Sequence, residues 1–392
     1  MAELAARWKG VPIRLRLSWL IAGLAGYGLM ALVYAVLPRM WLPPAGKALS
    51  YPIWSYLLLY CGWHLPFHLQ PDGSLVDRLG AGNVLTLARG WLLALLGGFL
   101  LGSEPTGFGR WLPMVAYTAS DLADYFDGYL ARSQGLATRL GQALDLELDA
   151  LGLLLAVGVA IHFASLPWWF IFFGLARYGF TFLVRLRQWL QLPVYALPPS
   201  KARRPIAGLS MGYVSASLWP ILKPAELTLA GVVFMSAFTA SFVRDALAVA
   251  GLVRPTGHRY RRLRSRARSI LLEWLPLLPR LGVFCLILLE VPTLLQPSGT
   301  LLDFIQAPFV WRLLGAVLGM GGLAILLGWA GRLAAFTALF PFGLLLAASS
   351  LTPVRRLLLL SLLFILMLGS GRFSLWQPTD SWFAQRAGAR QE

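Results

Sequence analysis

With 392 residues, 58% of them hydrophobic and only 13% charged, and a mean hydropathy of +0.67, the chain is placed among integral membrane proteins and not among soluble enzymes. Its net charge of +17 raises nucleic acid as a partner, but the arginines fall in loops between apolar runs with no reading module beside them, which argues against one. Two cysteines, Cys61 and Cys285, each in an apolar stretch, indicate no disulfide framework and leave the redox compartment open.

Apolar runs near the roughly 20 residues that cross a bilayer predict twelve helical spans, at about 17–37, 51–65, 83–101, 111–131, 141–163, 167–184, 206–222, 225–250, 277–294, 310–329, 333–349 and 357–369. The basic lead before Leu17 resembles a signal peptide, but the apolar run is long and Pro38, Arg39 and Met40 follow it, so a retained anchor is expected. With the amino terminus in the cytoplasm, inside loops and tails hold 23 of the 34 Lys and Arg residues and outside loops six, as the positive-inside rule requires. Arg355 and Arg356 stand on the wrong side in this scheme. His64 and His68 have the i, i+4 spacing of a metal-ligand pair, but Pro66 between them disturbs the helix that spacing needs.

The charge that matters most is negative. Six of the 17 acids, Asp121, Asp124, Asp127, Asp145, Glu147 and Asp149, lie in or beside one window at the ends of the fourth and fifth spans. At about 100° per residue, Asp124, Asp127, Gly128 and Ala131 share one helix face, and Gly141, Asp145 and Asp149 share another. Carboxylates gathered this way repel unless protons or cations lie between them. An all-oxygen set suits Mg²⁺ or Mn²⁺, and four acids on two facing helices suit two ions. Glycine and alanine on the same faces would leave room for a bulky polyanion. Glu147 points the other way and is expected to be structural; Asp121, one turn before Asp124, is expected beside the site or paired with an arginine.

Asp124, Asp127, Gly128, Ala131, Arg132, Gly141, Asp145 and Asp149 match every fixed position of D-x2-D-G-x2-A-R-x8-G-x3-D-x3-D, and on these residues the chain resembles the CDP-alcohol phosphotransferase family. Asn83, Thr86 and Arg89 resemble the segment that opens the family's first core helix, with Gly82 where proline is usual. The resemblance implies an all-α membrane enzyme that transfers a substituted phosphoryl group, such as phosphatidyl from CDP-diacylglycerol, to an alcohol in phospholipid biosynthesis, releasing CMP. It implies Asp124, Asp127, Asp145 and Asp149 as metal ligands, with Asp149 also the general base, and Gly128, Ala131, Arg132 and Gly141 around the CDP. Arg177, within an apolar span, and Lys201, Arg203 and Arg204 in the next inside loop are expected to hold phosphate of the donor or of a phosphorylated acceptor.

The expected organisation is a two-span extension at 1–81, a six-span catalytic domain at 82–250, an arginine-rich linker at 251–276 and a four-helix membrane domain at 277–392. The seven arginines between Arg254 and Arg268 suit anionic lipid headgroups. Gly331-Arg-Leu-Ala-Ala and the segment Gly369 to Leu375 resemble the DoxX-like membrane family, and Gly315 and Gly319 form a small-xxx-small pair for close helix packing. Glu290 is expected near the outer interface, with a cavity-lining position as the alternative. The inner cell membrane, with the acidic site on its cytoplasmic side, is the expected location, and a homodimer is a further expectation. The competing reading is a transporter or scaffold with an acidic ion site, since intramembrane acids often form ion pathways. No inverted repeat supports it.

Overall fold

The computed structural model describes residues 8–69, 73–134, 136, 138–197, 203–253, 257, 260, 262, 265–266, 269–295, 308–348 and 352–376. Twelve α-helices occur among them: α1 (Ile13–Val36), α2 (Lys47–His64), α3 (Gly80–Gly98), α4 (Leu112–Ser133), α5 (Arg139–His162), α6 (Ile171–Trp189), α7 (Arg203–Ser217), α8 (Pro224–Val249), α9 (Leu277–Leu295), α10 (Pro308–Leu327), α11 (Gly331–Ala348) and α12 (Pro353–Leu368). Each coincides with one apolar run of the sequence, and the described residues form no extended strand. The protein is therefore an all-α membrane protein. Five helical stretches, Ile13–Val36, Gly80–Leu100, Trp168–Trp189, Pro224–Val249 and Phe309–Leu327, are long and apolar enough to cross a membrane by composition alone. The helices that carry the acidic window, α4 and α5, are not among them, because their charges lower the apolarity of any long window.

The chain divides into two compact units. One comprises Met1–Tyr178 with Val214–Pro220, and the other Gly179–Tyr213 with Ile221–Glu392.

In the first unit α3 is the central helix. It packs against α1, α2, α4 and α5, and it buries Asn83, Thr86, Leu87, Arg89, Gly90, Leu93 and Ala94. Glycine makes these approaches close. A Cβ at Gly82 would lie 3.0 Å from the Ala131 Cβ and 3.1 Å from the Asp127 carbonyl oxygen, so the departure from proline at this position lets α3 and α4 meet at the acidic window. On the other side of α3, Trp91 donates its indole N–H to Gly26 O at 2.9 Å, and Trp54 donates to Gly23 O at 3.2 Å. The remaining face of α1, with Leu17, Leu20, Ile21, Leu24, Leu32 and Val36, is exposed, as expected of a surface solvated by lipid.

In the second unit α9 to α12 pack in sequence and α12 also closes on α9, while α8 packs on α12. Close packing in α10 comes from Gly321 against Ala338 and Gly322 against Ile287, whereas a Cβ at Gly319 would meet nothing within 4 Å. The small-xxx-small expectation at Gly319 is thus replaced by contacts at the next two glycines along, which face α11 and α9. Arg280 is buried and donates to four backbone oxygens, Ile325 at 3.1 Å, Leu326 at 2.7 Å, Ser370 at 2.9 Å and Arg372 at 3.0 Å. It thereby satisfies the end of α10 and holds the glycine-rich segment after α12, where Gly369 and Gly371 take positive φ of 90° and 73°. Glu290 has an acid–base partner inside the four-helix region. It is buried, and its Oε2 accepts from Arg355 Nε at 2.9 Å.

Candidate metal and phosphoryl-transfer site

The window's two helices are separated by the short stretch from Ser133 to Arg139, and α5 begins with a cap. Thr138 Oγ1 accepts from the Gly141 backbone N–H at 3.3 Å. The same hydroxyl lies 3.0 Å from His68 Nδ1, while His68 Nε2 lies 2.9 Å from the Arg78 carbonyl oxygen. A carbonyl can only accept, so the ring proton is on Nε2, and Thr138 donates its hydroxyl hydrogen to Nδ1. Burial lowers the His68 pKa below the ordinary 6.5, against the opposing pull of the Arg78 carbonyl. His68 thus serves the start of α5. His64 Nδ1 lies 2.9 Å from the Tyr60 carbonyl oxygen one turn back.

From this start Asp145 and Asp149 project towards α4 and α3. Arg89, 2% exposed, reaches all four motif aspartates: its Nη1 lies 2.7 Å from Asp124 Oδ1, 2.8 Å from Asp127 Oδ2 and 3.1 Å from Asp145 Oδ1, and its Nη2 lies 3.2 Å from Asp149 Oδ1. Asp127 is buried and also accepts from Thr86 Oγ1 at 2.9 Å. The Asp124, Asp145 and Asp149 side chains keep 39%, 46% and 38% of their surface, so the cluster is open on the side away from Arg89. Thr86 and Arg89 are both buried. Their burial and partners make them the inner wall of the acidic site.

Asp124, Asp127 and Asp145 each present a carboxylate oxygen within 4.8 Å of the others. Mg²⁺ binds oxygen at about 2.0–2.1 Å and accepts carboxylates readily, so this triad can bind a metal ion. The small residues of the motif lie alongside. A Cβ at Gly128 would come 3.1 Å from Arg132 Nη1, and one at Gly141 would come 3.0 Å from Asn83 Oδ1, so both glycines make room for polar protein groups. Ala131 packs on Gly82, and Arg132 is exposed at the end of α4. Glu147 faces away from the cluster and accepts from Tyr56 at 2.7 Å and Tyr178 at 3.2 Å, as its helical phase requires. Asp121 is half-buried, with no ion pair among the described residues.

The residues expected to hold phosphate are not all described. Arg177 is half-buried on α6, next to Tyr178. Lys201 and the Arg204 side chain lie outside the described residues, as does most of the run from Arg254 to Arg268. Arg203 donates to Asp245 Oδ2 through Nε and Nη2, both at 2.9 Å, and Arg244 donates to Asp245 Oδ1 at 3.0 Å and 2.6 Å. Asp245, buried on α8, is a partner of these arginines that sequence reasoning missed. An acid 42 residues from its partner gives no periodic signal.

Helices with carboxylates converging between them, in a chain of this apolarity, define a membrane protein with an acidic cluster able to hold a metal ion. Residues 80–253 match the family model described as CDP-alcohol phosphatidyltransferase, as the motif led us to expect. The family implies a CDP-alcohol phosphotransferase, an enzyme that moves a phosphoryl group from a CDP-alcohol to an acceptor alcohol. No curated protein and no solved structure matches the chain.

Proposed function

We propose that the protein transfers a phosphatidyl group from a CDP-linked lipid such as CDP-diacylglycerol to an alcohol, with release of CMP, as a step of phospholipid synthesis. The observation that carries this reading is the meeting of four aspartates from α4 and α5 around one point, open on one side. Asp124, Asp127, Asp145 and Asp149 would hold two ions, Mg²⁺ or Mn²⁺. Such ions supply neutralisation of the diphosphate and of the oxygens that enter and leave.

The chain's own groups do the rest. Thr86 and Arg89 hold the Asp127 carboxylate in place, so that it need not be ordered when substrate arrives. Asp149 gives Oδ1 to Arg89 and keeps Oδ2 as the atom that takes the proton of the acceptor hydroxyl. Gly128, Ala131, Arg132 and Gly141 border the CDP. Arg177, Lys201, Arg203 and Arg204 are the residues proposed for a phosphorylated acceptor, because basic side chains pair with phosphate. The proposed setting is the inner cell membrane, with the site on the cytoplasmic side and anionic lipids along the arginine-rich linker.

The test is release of CMP from CDP-diacylglycerol by the purified chain with Mg²⁺ or Mn²⁺, across a panel of alcohols and alcohol phosphates. Cation-dependent release that requires one acceptor is the expected result. A chain that binds cations but releases no CMP with any acceptor would return the site to an ion pathway or a scaffold.

A further inference from the structure

The guanidinium of Arg89 occupies the place where a cation is needed. Four carboxylates this close repel one another, and among the described residues the positive charge that touches all four is Arg89. Its Nη1 has two hydrogens, which go to Asp127 and Asp145, while Asp124 Oδ1 approaches the same nitrogen at 2.7 Å. The arginine takes one oxygen from each carboxylate. It reaches them from the buried side of the cluster, and its own Nε, also buried, has no hydrogen-bond partner. Leaving that donor unmade is unfavourable, so the side chain is held there by the carboxylates it neutralises and not by a full set of hydrogen bonds.

We propose that Arg89 is a built-in counter-cation. It keeps the four aspartates converged when no metal is bound, and it opposes divalent cations electrostatically once they arrive. Four carboxylates and one guanidinium leave the cluster short of neutral by three charges. Two divalent ions would carry it past neutrality, and an anionic diphosphate would restore the balance. Arg89 therefore makes full cation loading depend on the nucleotide. The inference rests on the assignment of these aspartates as cation ligands. Arg89 is a positioning residue in this scheme and acts through the carboxylates.

The experiment uses the full chain in nanodiscs, with Mn²⁺ as the probe, and compares wild type with Arg89→Gln and Arg89→Lys. If Arg89 stands in for a cation, Arg89→Gln lowers the thermal midpoint in EDTA by more than it does in saturating Mn²⁺. It also tightens Mn²⁺ binding, read by electron paramagnetic resonance, on the order of tenfold. CDP then strengthens Mn²⁺ binding more in wild type than in Arg89→Gln. An equal fall in midpoint with and without Mn²⁺ would reduce Arg89 to packing, and weaker Mn²⁺ binding would make it a support for the metal; either result overturns the proposal. Should Arg89→Gln fail to insert, Arg89→Lys decides, since one ammonium cannot reach what two guanidinium nitrogens reach. A fall in the thermal midpoint that is larger in EDTA than in saturating Mn²⁺ is expected there, and an equal fall in the two overturns the idea. Wild type that binds Mn²⁺ and releases CMP, beside variants that fail these tests, separates failure of this inference from failure of the proposed reaction.

Discussion

At the scale of single residues, Asp127 differs from the other three aspartates. It alone is buried, and it alone has a hydroxyl as well as the guanidinium on one oxygen. Asp127→Asn keeps the shape and removes the charge, so CMP release is expected to vanish while membrane insertion and the detergent elution profile stay as in wild type. Substantial remaining turnover would remove Asp127 from the ligand set. Asp149→Asn is expected to behave differently, losing rate by a factor on the order of 100 or more, as for loss of a positioned base, while binding of CDP-diacylglycerol with Mn²⁺ persists. Equal loss of binding and rate would take the general-base role away from Asp149. The four aspartates were legible in the sequence because 3.6-residue periodicity puts them on facing sides of neighbouring helices. Arg89 as their common partner was not, because the pairings span 35 to 60 residues and no local rule reports them. The same holds for His68 with Thr138, 70 residues apart, and for Glu290 with Arg355, 65 apart.

At the scale of elements, the site depends on how closely α3 approaches α4 and on where α5 begins. Gly82 sets the first. A leucine there would push against Ala131 and the Asp127 backbone, and a shift of about 1 Å at a reacting group can cost on the order of 100-fold in rate. Gly82→Leu is therefore expected to lower CMP release far more than it lowers the amount of inserted protein, both measured on the same preparation. The start of α5 depends on His68 and Thr138. The folded chain holds His68 neutral and the unfolded chain protonates it near 6.5, so its contribution is complete above that pH and is lost as the pH falls below it. Between about pH 8 and about pH 5 the thermal midpoint of wild type should fall further than that of His68→Gln. Parallel curves would show that the ring does not couple folding to protons. Helix existence was readable throughout, since each apolar run became a helix. Which glycines pack was less so: Gly319 carries the expected spacing, yet the contacts belong to Gly321 and Gly322, because spacing does not say which face meets a neighbour.

At the scale of the whole molecule, the chain joins a segment whose chemistry is concentrated in one acidic cluster to a four-helix region held by two buried arginines, Arg280 and Arg355. Removing one partner of a buried ion pair leaves an uncompensated charge and costs about 3–5 kcal/mol, whereas replacing both with apolar groups is often neutral. Glu290→Leu alone should lower the thermal midpoint clearly, and Glu290→Leu with Arg355→Met should recover most of the loss. If the double variant is no more stable than the single one, the pair matters for more than its charges. The arrangement also bears on orientation in the bilayer. Arginines set topology by remaining in the aqueous phase on the side where the chain is made. One sealed against an acid inside the helices casts no such vote, so Arg355, in the first turn of α12, ceases to argue against the direction in which the last two helices run, and of the two arginines on that side the exposed Arg356 alone still does.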